Sequence, residues 1–279
     1  MEIFERIEDR GYPTDYLLSR VRSRRVLYKN FIAGESPVEI WRHLLKEYRW
    51  IYIQMNGALR NIFRRFFIYF ELRTIFMCLR YKKGEYEKIE ELLRFSLLSD
   101  DIKELLMGDS DIMTAIGGVE GAFLSISDRF GGLKEIFMKD GLRGFEQELT
   151  DVYFENTIDS KPHHTIRDFF KYVIDSRNII AVYKHIRWQM HDYPSFINGG
   201  SVKEARLRRI FERQDISGIT TLVQKLTGII TDAGNIENSL LKRTTRFLRE
   251  TARDPLCIGI ILEHLWRCYV EIIEAGTIH

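Results

Sequence analysis

The sequence predicts an all-α fold built from three similar helical units. Helix-capping signals recur along the chain, apolar residues follow them at helical spacing, and no run alternates with a period of two for more than a few residues between turns. A local pattern also recurs three times at wide separation. An aromatic-rich helix carries an acid, a polar side chain follows three residues on, and a small or apolar residue comes next. The copies are Glu71-Leu72-Arg73-Thr74-Ile75, Asp175-Ser176-Arg177-Asn178-Ile179 and Glu271-Ile272-Ile273-Glu274-Ala275, preceded by FFIYF (66–70), FFKYVI (169–174) and LWRCYV (265–270). Their separation exceeds solenoid periods of about 20–50 residues. The expected units span 1–105, 106–195 and 196–279, with the N-terminal segment packing against the last. Such a body suits a collar or socket better than a one-sided catalytic cleft.

Taken in order, Ser36-Pro37-Val38-Glu39 reads as a capping box with proline at the first helical position, and Trp41, Leu44, Leu45, Tyr48 and Tyr52 follow at helical spacing. Residues 55–83 predict a long helix stopped at Gly84, and Ile89, Leu92, Leu93 and Ser96 an amphipathic one after it. Eight glycines between Gly108 and Gly144 predict short helices and loops, with GGVEGAF (117–123) as loop punctuation. Thr165 with Asp168 opens a long helix toward Met190, stopped by Tyr193-Pro194; Ser201 with Glu204 caps the next, after the Gly199-Gly200 turn. Asp254-Pro255 starts the last. Unit boundaries fall near 98–110 and 192–201.

Composition narrows the function classes. A chain of 279 residues buries about three quarters of its unfolded surface and needs no staples. Cys78, Cys257 and Cys268 form no Cys-x-x-Cys pair and read as buried, reduced thiols. A net charge of +2 argues against a nucleic-acid-binding helical module, which expects a continuous basic face. Glu2, Glu5, Glu8 and Asp9 crowd an N-terminus without an apolar core, which excludes a signal peptide. The most apolar stretch, 61–79, contains Arg64, Arg65, Glu71 and Arg73; such charges cost about 2.5–3.5 kcal/mol each near a bilayer centre, so no helix is expected to span a membrane.

The acid-x-x-polar pairs place two polar groups on one helix face. They read either as a ring of partner contacts about a pseudo-threefold axis, or as fasteners that must find hydrogen-bond partners inside each unit. The basic run Arg20, Arg22, Arg24, Arg25 and Lys29, and the cluster Arg206, Arg208, Arg209 and Arg213, interrupted by Glu204 and Glu212, read as solvated faces or internal pairs, with phosphate binding the alternative. No Gly-Lys-Ser/Thr follows the glycines of GGVEGAF, His185 and His191 are off the spacing for two metal ligands on one helix face, and no nucleophile elbow is present. No catalytic, cofactor or metal site is predicted. The rival reading is an all-helical, metal-dependent enzyme on a phosphorylated or isoprenoid substrate, resting on Asp100-Asp101 and the arginine clusters.

DYLLSRVRSRRVL (15–27), with Tyr16, Leu17, Arg20, Val21 and Arg22, resembles the opening of the C-type subunit of archaeal and bacterial V/A-type ATP synthases, whose eukaryotic relative is the d-type subunit of the V-type ATPase. FELRTIFMCLRYKKGEYEKIEELL (70–93), IDSRNIIAVYKHIRWQ (174–189), FINGGSV (196–202) and DPLCIGIILEHLWRCYVEIIEAGTI (254–278) resemble later family segments in order. Thr74 and Glu274 stand where asparagine is usual, Gly276 where arginine tends to be, and the chain stops at His279 without the usual basic tail. The resemblance implies a funnel of three helical units, peripheral on the cytoplasmic face of a membrane. It implies a non-catalytic, cofactor-free role: accepting the central shaft, of D and F type subunits, and seating on the proteolipid rotor ring. Glu71, Asp175, Asn178 and Glu271 are the candidate partner-interface residues.

Overall fold

The computed structural model describes residues 2–8, 11–24, 36–82, 84–108 and 110–274, the side chain of Glu274 excepted. Arg25 and Lys29 of the basic run, and Ala275, Gly276 and His279 at the chain end, lie outside the described residues. Twelve α-helices occur among the described residues: α1 Thr14–Ser23, α2 Pro37–Gln54, α3 Gly57–Tyr81, α4 Tyr86–Leu93, α5 Asp100–Met107, α6 Ile112–Leu124, α7 Leu133–Asp159, α8 His164–Arg187, α9 Glu204–Glu212, α10 Ile216–Thr227, α11 Ile236–Thr251 and α12 Gly259–Glu274. The only β pairing among the described residues is two isolated bridges, Phe4 with Leu98 and Tyr12 with Met55. The fold is all-α, as the sequence predicts.

Two compact units emerge, residues 1–156 with 264–279, and residues 157–263. The first is organised by α2 and α3. The predicted capping box closes in full, with the Glu39 N–H donating to the Ser36 hydroxyl and the Ser36 N–H to the Glu39 carboxylate, and Asn56 caps α3. Trp41, Tyr48, Phe63, Phe66, Phe67 and Phe70 are buried between the helices. Tyr48 meets Phe67 and Phe70 edge-on, at centroid distances of 5.8 and 5.1 Å. Such pairs add about 0.5–1.5 kcal/mol beyond area burial. From α12, Tyr269 packs edge-on against Phe70 at 5.0 Å, and the Leu265 carbonyl accepts the Tyr48 hydroxyl at 2.9 Å.

The second unit is built on α8, against which α9, α10 and α11 bury Leu207, Phe211, Leu222, Val223, Ile236 and Leu240 beside Ile179, Val182 and Ile186. In each unit short helices follow a long one: α4, α5 and α6 come after α3, and α9 and α10 after α8. The N-cap of α6 is Asp111 and that of α10 is Asp215, each accepting the N–H three residues on at 2.7 Å.

Several boundaries differ from the sequence reading. GGVEGAF lies inside α6: a side chain at Gly118 would come within 2.3 Å of Leu105 on α5, so that glycine serves close helix packing. Thr165 and Asp168 lie inside α8, whose N-cap is His163 accepting from the Thr165 N–H. The α9 N-cap is Lys203, without a side-chain bond; the predicted cap, Ser201, lies two residues before it and donates its N–H to Asp175. The last helix starts at Gly259, five residues after Asp254, where the Asp254 carboxylate instead holds a turn through the Leu256 N–H. Ser96 lies beyond α4.

Candidate functional site

The buried acids of the first two copies occupy the same kind of place. Glu71 points from the middle of α3 and is 2 % exposed. Its carboxylate accepts the Leu97 N–H at 2.7 Å and the Ser96 hydroxyl at 2.8 Å, pinning the segment that leads into α5. Three residues on, Thr74 bonds the same carboxyl and accepts the Trp41 indole N–H at 3.1 Å. Burial pushes the Glu71 carboxyl above its ordinary range, against the opposing pull of these donors.

On α8, Asp175 is fully buried and accepts the Ser201 and Val202 N–H groups through one oxygen, at 2.7 and 2.8 Å. Arg243 of α11 donates to the other oxygen at 3.1 Å, its own side chain only 11 % exposed. Asn178 closes the same loop at its other end: its amide nitrogen donates to the Ile197 carbonyl at 2.8 Å and its amide oxygen accepts the Ile197 N–H at 3.0 Å. The Gly199-Gly200 turn makes this approach possible. Gly199 has φ +98, and a side chain at Gly200 would come within 2.6 Å of the Asp175 carboxylate.

Glu271 is half-buried on α12, one turn beyond Cys268. Here the structure contains a cluster that the sequence reading did not single out. Arg24 forks onto Glu47 at 2.6 and 2.7 Å, the same carboxylate faces His264 Nε2 at 3.1 Å, and Cys268 Sγ lies 3.7 Å from that nitrogen. Arg267 approaches His264 Nδ1 at 3.3 Å, so Nδ1 accepts and Nε2 carries the proton toward Glu47. Burial alone would raise the Glu47 carboxyl; the bonds from His264 and Arg24 outweigh it and hold it below the usual range. Cys268 is pushed well above its usual value by burial, then by the charges of Glu47 and Glu271. A thiol so held is no thiolate nucleophile. No local signal marks this cluster, because Glu47 and His264 are far apart in sequence.

The four predicted residues thus divide, Glu71 and Glu271 in the first unit, Asp175 and Asn178 in the second. Glu71, Asp175 and Asn178 direct their polar atoms at their own chain. Cys78 and Cys268 are buried and Cys257 partly so, all three free thiols. Among the described residues, no group of three or more His, Cys, Asp or Glu is placed to hold a metal ion, and no helix is long and apolar enough to cross a membrane.

Fold and site define a class: an all-α protein whose buried acids fasten long helices to the segments that follow them. The chain belongs to the ATP synthase (C/AC39) subunit family, whose model matches residues 35–274. The family resemblance is borne out by that match, which covers the later segments and not the opening stretch 15–27. A search of curated proteins finds no match.

Proposed function

We propose that this protein is the non-catalytic coupling subunit of a V/A-type ATPase or ATP synthase, the socket that joins the central shaft to the membrane rotor ring. The family match over residues 35–274 carries the reading. Its partners are then the D and F type shaft subunits and the ring of proteolipid subunits, and its place is peripheral, on the cytoplasmic face of the membrane. Torque is passed by a body that does not yield, and the clamps at Glu71 and Asp175 supply that kind of stiffness: each fixes the entry to a following helix through backbone N–H groups. The three-unit division and its approximate threefold relation belong to this proposal.

Glu71, Asp175, Asn178 and Glu271 act on the shaft-binding wall in this reading, the buried three through the segments they hold. The triple variant Glu71→Ala, Asp175→Ala, Glu271→Ala is expected to loosen shaft binding in a pull-down with purified shaft subunits, with helical content retained by circular dichroism. Normal shaft binding together with much earlier melting would make these acids internal fasteners only. Detergent extraction of the native membrane supplies the broader test. The chain should co-purify with shaft and ring polypeptides through contacts exceeding about 1,600 Å² in total; elution of the chain alone would remove the coupling role.

A further inference from the structure

Helix α9 looks balanced in sequence, since Glu204 and Glu212 flank its arginines. The fold separates them. Arg208 pairs with Glu204 at 2.5 Å and lies over the Tyr193 and Phe196 rings. Glu212 accepts the Tyr193 hydroxyl at 3.0 Å. Both acids are therefore engaged on the side of the helix that faces Tyr193.

Arg206, Arg209 and Arg213, spaced three and four residues apart, share a different face. They line a cleft of about 380 Å³ between α9 and the start of α10, with Asp215, Ser217 and Thr221 on its other wall. This is the size of a small-ligand site, about 300–1,000 Å³. Among the described residues, none of the three guanidiniums has a carboxylate within ion-pair distance. The carboxylate in the cleft, Asp215, accepts the Ser217 hydroxyl and the Gly218 N–H through one oxygen, both at 2.7 Å. Those two bonds come first in holding it below the usual range, with the Arg213 charge a smaller contribution. Three cations on one helix face repel each other, and an anion between them relieves that repulsion.

We propose that the cleft binds a phosphate group, carried by a free anion or by a phospholipid headgroup. The guanidinium forks match phosphate oxygens geometrically as well as in charge, and the Thr221 hydroxyl adds a neutral donor.

The full chain should be titrated calorimetrically with inorganic phosphate and floated with phosphatidylcholine vesicles with and without phosphatidylglycerol. Saturable phosphate binding, weakened at least about tenfold in Arg209→Gln/Arg213→Gln, supports the site with a free anion as source. Binding only to phosphatidylglycerol vesicles, lost in the same variant, supports it with a headgroup. Arg208→Gln, outside the cleft, should change either affinity less than about twofold. Arg209→Lys/Arg213→Lys keeps the charge and removes the forks, so it should fall between. Absence of both kinds of binding, binding undiminished in the double Gln variant, or an equal loss in Arg208→Gln would overturn the proposal; matching melting curves establish that the variants are folded.

Discussion

The clamps at Glu71 and Asp175 each sit on a long helix and reach the same kind of target, a backbone segment entering a short helix, yet they balance charge differently. Asp175 has a guanidinium on its second oxygen and an asparagine closing the far end of its loop. Glu71 accepts, among the described residues, only from neutral donors, the Leu97 N–H and the Ser96 hydroxyl, with the Thr74 hydroxyl beside it. The same fastening is thus achieved once by an ion pair and once by a carboxyl whose ionised form is penalised. A backbone segment needs an acceptor; it does not dictate the charge.

Of the two clamps, the one at Asp175 is the costlier to lose. Asp175→Ala leaves Arg243 largely buried without its carboxylate and orphans the Ser201 and Val202 amides, so a loss of about 3–5 kcal/mol is expected in urea unfolding. A loss below about 1 kcal/mol would mean that water replaces the whole clamp. Glu71→Ala removes no charge pair, and its expected cost is smaller, about 2–3 kcal/mol for the buried donors left behind. Asn178→Ala should cost about 1–3 kcal/mol because both bonds to Ile197 are lost, and Thr74→Val less, about 1 kcal/mol, because only the Trp41 indole and the Glu71 carboxyl lose a partner.

The finest distinction is in pH dependence, where Glu71, buried, and Glu47, partly buried, have opposite signs. Glu71 is raised in the folded state. Its stabilising contribution is full below the ordinary carboxylate range and declines as pH rises through that range toward the raised value. Glu47 is lowered. Its contribution is full above the ordinary range and is lost as pH falls through the folded value. Urea midpoints measured across pH should therefore flatten on the neutral side in Glu71→Gln and on the acid side in Glu47→Gln. The same change of slope in both variants would refute the assignment of opposite shifts.

Much of this architecture is written locally. The Ser36 capping box, the helical spacing of Trp41, Leu44, Leu45, Tyr48 and Tyr52, and the poverty of alternating runs each depend on residues within a turn or two, so the all-α class and α2 follow from the sequence. The acid-x-x-polar spacing is equally local, and it identifies Glu71, Asp175 and Asn178 as special before any partner is known. What it leaves open is where those groups point, because Asp175 is completed by Ser201, Val202 and Arg243, far along the chain. Glu47 with His264, and the separation of Arg206, Arg209 and Arg213 from the acids beside them in sequence, are decided the same way. The chain determines its helices, and the polar residues they carry, through short-range spacing. Tertiary packing decides which of those residues are spent on each other and which face solvent, because partners distant in sequence meet only when helices pack, and burial then sets the cost of leaving a donor or charge unmatched.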